Sequence, residues 1–363
     1  MKISLSVSEL QDTIKKAQKV VMNSKQTKLP ALLSVKISAL DNAITMTANN
    51  LNTVTVFTLF GSIQEQGEVL IPSDTLKLIS KLKNTNYIEI SENLIIAGSK
   101  TLKFTSATVD QFPITNDTCT IPAFSIGHNE LIKALSVNYA CAIEENRPIF
   151  TGVCLNKSTF VATDTHRMAW YYVESINNTI EKEIVIPLQV TKLLQNYLDK
   201  KSGFPVVVSV DEKQRHLKFE FPQTVVITRL IEGTFPNFKQ VVPTDHKTSV
   251  KLNVKKLLDE LSFVEDIAKK SNGIVTLAVD ENAIYFDAMA EGNAVTLTID
   301  SIVTGDHVEV MGISYKFLID ALKNVEGEEI EIKFNGSYSP VCFNNSIVLP
   351  VRLPEMKRLN TAA

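Results

Sequence analysis

Three tandem copies of one α+β domain, each with two helices and roughly eight short strands, are what this sequence of 363 residues predicts. Three observations carry that expectation. A strand that turns into a helix recurs three times at intervals of about 120 residues, and a second strand-to-helix unit recurs midway through each copy. The remainder alternates β-branched and apolar residues in short runs. The length agrees, because 363 residues exceed what one hydrophobic core normally supports.

The first units begin at Ile3-Ser4-Leu5-Ser6-Val7-Ser8-Glu9-Leu10, at Phe124-Ser125-Ile126-Gly127-His128-Asn129-Glu130-Leu131 and at Val250-Lys251-Leu252-Asn253-Val254-Lys255-Lys256-Leu257. Each alternates as a strand does and then turns helical. Val7, Leu10, Ile14, Ala17 and Val21 recur at the three-four spacing of one helix face, and Val254, Leu257, Leu261, Val264 and Ala268 repeat it. The second units run from Val69-Leu70-Ile71-Pro72 into Leu76 to Leu82, from Ile184-Val185-Ile186-Pro187 into Val190 to Leu198, and from Val308-Glu309-Val310-Met311 into Phe317 to Val325. Proline or glycine stands at the hand-over, where a helix start accepts it. Runs such as Val206-Val207-Val208-Ser209-Val210 and Leu217-Lys218-Phe219-Glu220-Phe221 read as strands. Domain boundaries are expected near 120 and 244, giving domains at 1–120, 121–244 and 245–363, the last with a short tail from about 354.

Composition excludes several classes. With 44% hydrophobic and 21% charged residues the chain is neither a disordered tail nor a fibre. The N-terminus Met1 to Glu9 has no long apolar core before its first charges, and no later run approaches a membrane span, so a cytoplasmic protein is expected. Cys119, Cys141, Cys154 and Cys342 lack the close pairing of a zinc or redox motif and read as free, mostly buried thiols. No metal and no cofactor is expected.

The net charge of −3 argues against binding nucleic acid over the whole surface, so any such contact needs a segregated basic face. The helices offer one. Lys15, Lys16 and Lys19 lie on the first, Lys77, Lys81 and Lys83 on the second, and Lys133 on the third. Lys192, Lys200 and Lys201 follow on the fourth, Lys255, Lys256, Lys269 and Lys270 on the fifth, and Lys316 and Lys323 on the sixth. These stretches hold sixteen lysines against ten acids, so the strands and loops must be net negative. For a single helix an ordinary solvated face explains lysine as well. Across six related helices a common surface for phosphate contacts without base readout is the sharper reading.

Asp164 and His166, beside Arg167, can be read as the acid–base pair of an unassigned soluble enzyme. The chain lacks a Gly-rich phosphate loop, a Gly-x-Ser-x-Gly elbow and a His-Glu-x-x-His helix, so no catalytic residue is assigned and a turn-holding role for Asp164 is favoured.

Arg147-Pro148-Ile149-Phe150-Thr151-Gly152-Val153 and Val161-Ala162-Thr163-Asp164-Thr165-His166-Arg167-Met168-Ala169 closely resemble the signature segments of the middle domain of bacterial DNA sliding clamps, the beta subunits of DNA polymerase III. Gly233-Thr234-Phe235-Pro236, Ile347-Val348-Leu349-Pro350-Val351-Arg352-Leu353 and Leu29-Pro30-Ala31-Leu32-Leu33-Ser34 resemble three further segments of that family. The resemblance runs from Met1 to Leu353. It implies three DNA-clamp domains per chain in a head-to-tail homodimeric ring, with helices lining a central channel for duplex DNA bound without sequence specificity. It implies partners as well: a replicative polymerase subunit, a clamp loader and other clamp-binding proteins, held through a short hydrophobic motif.

The resemblance places a partner-peptide cleft at Thr163, Thr165, His166, Arg167, Met168, Pro236, Gln240, Val241, Tyr315, Ile347, Pro350, Val351, Arg352 and Leu353. It places the channel lysines at Lys15, Lys16, Lys19, Lys77, Lys81, Lys83, Lys133, Lys192, Lys200, Lys201, Lys255, Lys256, Lys316 and Lys323, and the dimer contact at Leu102, Phe104, Phe263, Val264 and Ile267. Three departures stand out: Thr165 where glycine is common, Gln240 where arginine is common, and Pro354 to Ala363 beyond the usual Arg-Leu end.

Overall fold

The computed structural model describes residues 1–113, 117–144, 146–176 and 179–352; Leu353 and the tail lie outside them. Seven helices occur among the described residues: α1 (Val7–Ala17), α2 (Ser73–Ile79), α3 (His128–Leu135), α4 (Leu188–Tyr197), α5 (Val254–Ser262), α6 (Glu265–Lys270) and α7 (Tyr315–Lys323). All but α6 follow a strand directly, as the repeat predicts. Pro72 and Pro187 occupy the residue before α2 and α4, while Asn253 and Ser314 cap α5 and α7 by accepting from the Lys256 and Phe317 backbone amides. On α1 the buried residues are Val7, Leu10, Ile14 and Ala17, four of the five residues of the stripe read from the sequence; the helix ends at Ala17, so Val21 lies beyond it and is half-buried. Full burial of each larger member contributes roughly 1.5–3 kcal/mol.

One expectation changes. The stripe Val254, Leu257, Leu261, Val264, Ala268 is continuous and buried, but two short helices carry it. The chain tightens at the break, where Phe263 and Val264 donate to Glu260 and Leu261, three residues back, and Glu265 and Asp266 then open a new first turn.

Contacts divide the chain into two compact units that do not coincide with the repeats. Unit 1 comprises 1–132 and 174–232, and unit 2 comprises 133–173 and 233–363. The reason lies in strand pairing. In unit 1 an eight-stranded antiparallel sheet contains four strands of the first repeat and four of the second, joined where Thr224–Arg229 pairs with Thr53–Leu59. In unit 2 the strand Arg167–Tyr172 of the second repeat pairs with Ser346–Val348 of the third. Unit 1 also holds a five-stranded sheet ending at Lys100–Lys103, and unit 2 a four-stranded sheet ending at Asn293–Asp300. The third-repeat core lies between sheet and helices, around Leu257, Leu261, Phe286, Met311, Leu318 and Phe334.

Candidate functional site

The site begins at a hairpin. Strands Thr159–Thr163 and Arg167–Tyr172 are joined by Asp164, Thr165 and His166, and Thr165 adopts a left-handed φ of 75°. Side chains hold this turn. Asp164 Oδ1 accepts from the backbone N–H groups of His166 and Arg167 at 3.0 Å each, and Thr163 Oγ1 accepts from the Thr165 N–H at 3.1 Å while donating to the Arg167 carbonyl at 2.6 Å. The second Asp164 oxygen accepts from Arg167 Nε at 2.9 Å. The carboxylate is thus a structural acceptor, and nothing in this geometry pairs it with the His166 ring.

Arg167 is only 5% exposed. It also donates to Asp320 on α7 at 2.6 Å and stacks over the Phe317 ring at 4.3 Å, with the Tyr139 ring 5.5 Å away. A buried guanidinium needs this many partners, because desolvating it unpaired would cost several kcal/mol. Burial also pushes the Tyr139 hydroxyl above its usual range.

The hairpin's far strand puts Met168 opposite Ile347, and the two share an apolar pocket of about 200 Å³. Of the residues expected there, Thr163, Thr165, Arg167, Met168, Pro236, Val241 and Ile347 line it. Five more come from the structure alone: Phe150, Phe235, Asn237, Phe238 and Leu349. Three of these had a signal, since Phe150, Phe235 and Leu349 fall in the recognisable segments. Phe150 and Phe235 pack edge to face at 6.0 Å, and the turn before Phe235 needs Gly233, whose φ is 141° and where a Cβ would come within 3.1 Å of Ile149.

The other expected residues sit around the pocket without lining it. His166 is exposed, and its carbonyl accepts from the Leu349 N–H. Gln240 is exposed on the short 3₁₀ turn Phe238–Val241. Pro350, Val351 and Arg352 continue the chain from Leu349, and the Val351 N–H donates to Gly312. Tyr315 belongs to the core: it is 8% exposed, its hydroxyl donates to the Leu261 carbonyl at 3.0 Å, and burial together with the Glu265 and Asp266 carboxylates pushes its pKa up to about 12. Leu353 lies outside the described residues.

In unit 1 the lysine-bearing helices are tied to one another. Tyr197 on α4 donates to the Lys16 carbonyl at 2.8 Å, and Gln11 on α1 donates to Ile79 and Leu82 at the end of α2. Of the lysines expected on these helices, Lys15, Lys16, Lys77 and Lys192 lie on them, whereas Lys19, Lys81, Lys83, Lys200 and Lys201 lie past the helix ends, which come earlier than the lysine spacing implied; all are exposed except Lys16, which is half-buried. Lys15 and Lys77 are held at 2.9 Å by Asp12 and Asp74. In unit 2 Lys255, Lys256, Lys269, Lys270, Lys316 and Lys323 are exposed, and Lys133 pairs with Glu326 at 2.9 Å.

Three stretches of the chain match models of one family: residues 1–116 its N-terminal domain, 125–237 its central domain and 239–348 its C-terminal domain, each described as DNA polymerase III beta subunit. The chain belongs to that family. The beta sliding clamp of Chlamydia muridarum is 26% identical over 374 residues, covering 97% of this chain and 99% of its own. The DNA polymerase III beta subunit of Thermotoga maritima superposes with a TM-score of 0.85 at 26% identity, covering 97% of this chain and 99% of its own. The Bartonella birtlesii sliding clamp, solved bound to griselimycin, has a TM-score of 0.90 at 19% identity, covering 97% and 100%; at that identity it speaks for the fold.

As a member of the beta-subunit family the chain consists of three clamp domains, and the two compact units arise because each sheet junction joins neighbouring clamp domains. The clamp-family residues expected at a dimer contact are scattered in environment. Leu102 and Phe104 are half-buried at the sheet-ending strand Lys100–Lys103, Phe263 is 73% exposed, Ile267 is half-buried against the core, and Val264 is fully buried within it. All four cysteines are buried; burial raises the pKa of Cys119 and of Cys342 to about 11 each, with neighbouring Asp117 and Asp211 adding to the effect at Cys119. No helix among the described residues is long and apolar enough to cross a membrane.

Proposed function

We propose that this chain is a processivity factor of DNA replication, a non-catalytic beta sliding clamp that closes into a ring around duplex DNA and tethers a polymerase to it. The match to all three family domains in order is the observation that carries this reading. Clamp domains at 1–120, 121–244 and 245–363 are proposed on the same ground, and the cytoplasm is where such a protein meets its DNA.

Ring closure is supported by the strand Lys100–Lys103 at the end of its sheet and by Asn293–Asp300 at the end of another, since unpaired edges call for pairing. In a head-to-tail dimer the edge bearing Leu102 and Phe104 meets the partner's α5–α6 corner at Phe263 to Ile267. The lysine faces of the helices then line the channel, and a modest density of flexible point charges suits sliding. The unit 2 pocket is the seat for a partner's short hydrophobic motif: Met168, Val241, Ile347 and Leu349 supply walls, and Val351, His166 and Arg352 stand at its approach.

Loading onto a nicked circular duplex followed by gel filtration tests the whole reading. Retention on the circle and loss after linearisation are expected, with light scattering reporting a dimer at micromolar concentration; a monomer that falls off both DNAs overturns it. Lys15, Lys19, Lys77 and Lys81 changed together to alanine should flatten the salt dependence of DNA binding, by up to about 0.9 in slope for each lost phosphate contact. Met168→Ala with Val351→Ala should weaken a clamp-binding peptide at least tenfold in a folded dimer. A chain ending at Leu353 shows whether the tail competes for the pocket: tighter peptide binding than in the full chain means that it does.

A further inference from the structure

The hairpin that builds the unit 2 pocket has a twin in unit 1. Strands Ala43–Asn49 and Thr53–Leu59 are joined by Asn50, Leu51 and Asn52, and Leu51 has a φ of 74° against 75° at Thr165. Asn50 Oδ1 accepts from the N–H groups of Asn52 and Thr53, as Asp164 does from His166 and Arg167, and Asn49 caps Leu51 as Thr163 caps Thr165. The strand added beside it is in the same register: Ile227 lies opposite Val54 as Ile347 lies opposite Met168. Its exit matches too, with Arg229 donating to Asn52 and Ile231 to Val185, as Leu349 donates to His166 and Val351 to Gly312. Even the wall recurs, because Phe112-Pro113 lines this junction as Phe235-Pro236 lines the other.

At this twin lies a groove of about 620 Å³. Its floor crosses adjacent strands through Thr47, Val56 and Val225, with Val54 and Ile227 beside them, and Phe112, buried against Ala31 and Leu70, anchors the wall. The rim is acidic. Glu68, Asp110 and Asp117 face the single lining lysine, Lys36, which Glu68 holds at 3.1 Å; Lys218 pairs with Asp117 at 2.8 Å and with Glu220 at 3.6 Å. Four carboxylates therefore surround two ammonium groups. The unit 2 pocket differs: Arg167 is the one charged residue lining it, held by Asp164 and Asp320, and Lys239 and Arg352 are exposed nearby.

We propose that unit 1 carries a second peptide-docking groove, at the hairpin junction quasi-equivalent to the one in unit 2, and that it selects an extended segment whose apolar side chains are flanked by lysine or arginine. The apolar floor takes the former and the acidic rim the latter. The inference borrows from the peptide-cleft reading of unit 2 only the idea that such a junction can hold a peptide.

The test uses the full chain and two fluorescent peptides carrying one benzophenone residue each, Leu-Lys-Leu-Lys-Leu and Leu-Glu-Leu-Glu-Leu. The basic peptide should bind at least tenfold more tightly, and its crosslinks should map to 54–56, 109–113 and 225–227. Ile227→Glu should abolish those crosslinks, and Asp110→Lys, at an exposed rim position, should erase the preference. Equal affinities, no binding, or crosslinks confined to 163–168 and 235–241 overturn the second groove, the last outcome leaving the unit 2 pocket standing. Crosslinks in unit 1 alone support it, even if the peptide-cleft reading of unit 2 then fails its own test.

Discussion

The hairpins Asn49–Val54 and Thr163–Met168 share a backbone and differ in how strongly side chains hold it. In unit 1 neutral groups do the work: Asn50 accepts two backbone N–H bonds, and Thr53 meets Thr228 hydroxyl to hydroxyl at 3.3 Å. In unit 2 the same two positions carry charge, and the Asp164–Arg167 pair extends through Asp320 to α7. A turn geometry can therefore be inherited intact while its chemistry diverges. Repeat symmetry places the backbone, and individual residues decide whether a junction is stiff and basic or softer and acidic.

The largest expected difference is at the cap. Asp164→Ala removes the side-chain acceptor of two backbone N–H groups and one of two carboxylate partners of a buried guanidinium, so unit 2 should lose about 3–5 kcal/mol, whereas Asn50→Ala should cost unit 1 about 1 kcal/mol. Trp170, the single tryptophan, lies on the unit 2 hairpin, and its fluorescence in guanidinium reports unit 2; hydrogen exchange of the strand Thr53–Leu59 reports unit 1. Equal losses would break the comparison.

Next comes the α7 link. Asp320→Asn should destabilise unit 2 by about 1–3 kcal/mol by weakening a charge-assisted bond to a buried group, while Thr53→Val, at the position matching Arg167, should stay within about 1 kcal/mol. The same fluorescence and exchange signals check both.

Smaller gains are expected from glycine at the left-handed residues. Thr165 is β-branched and strained at φ 75°, so Thr165→Gly should stabilise unit 2 by about 1 kcal/mol. Leu51, 61% exposed, should gain less on Leu51→Gly, and a loss at either position would show that its side chain packs better than its exposure suggests.

The smallest effect is a pH dependence confined to unit 1. His128 is buried, its Nδ1 accepts from the Asp199 N–H, and burial lowers its pKa. The unfolded chain then binds the proton more readily. Stability is complete above pH of about 6.5 and declines as pH falls below it. Exchange of unit 1 amides should accelerate between pH 7 and 5, and His128→Gln should flatten that slope.

The sequence by itself determined the repeat and most of the helix stripes, because helix periodicity and strand-to-helix hand-over are local properties repeated three times. It also marked Met168, Ile347 and Pro236 through recognisable segments. Tertiary structure alone decided that repeats merge pairwise into two units, since whether Arg167–Tyr172 pairs with Ser346–Val348 depends on which edges meet, and each edge looks alike in its own residues. It alone put Asn237 and Phe238 into the pocket wall, Tyr315 and Val264 into the core, and a break into the stripe from Val254 to Ala268. An apolar residue is written identically whether it faces a core, a pocket or a partner; only the packing around it distinguishes the three.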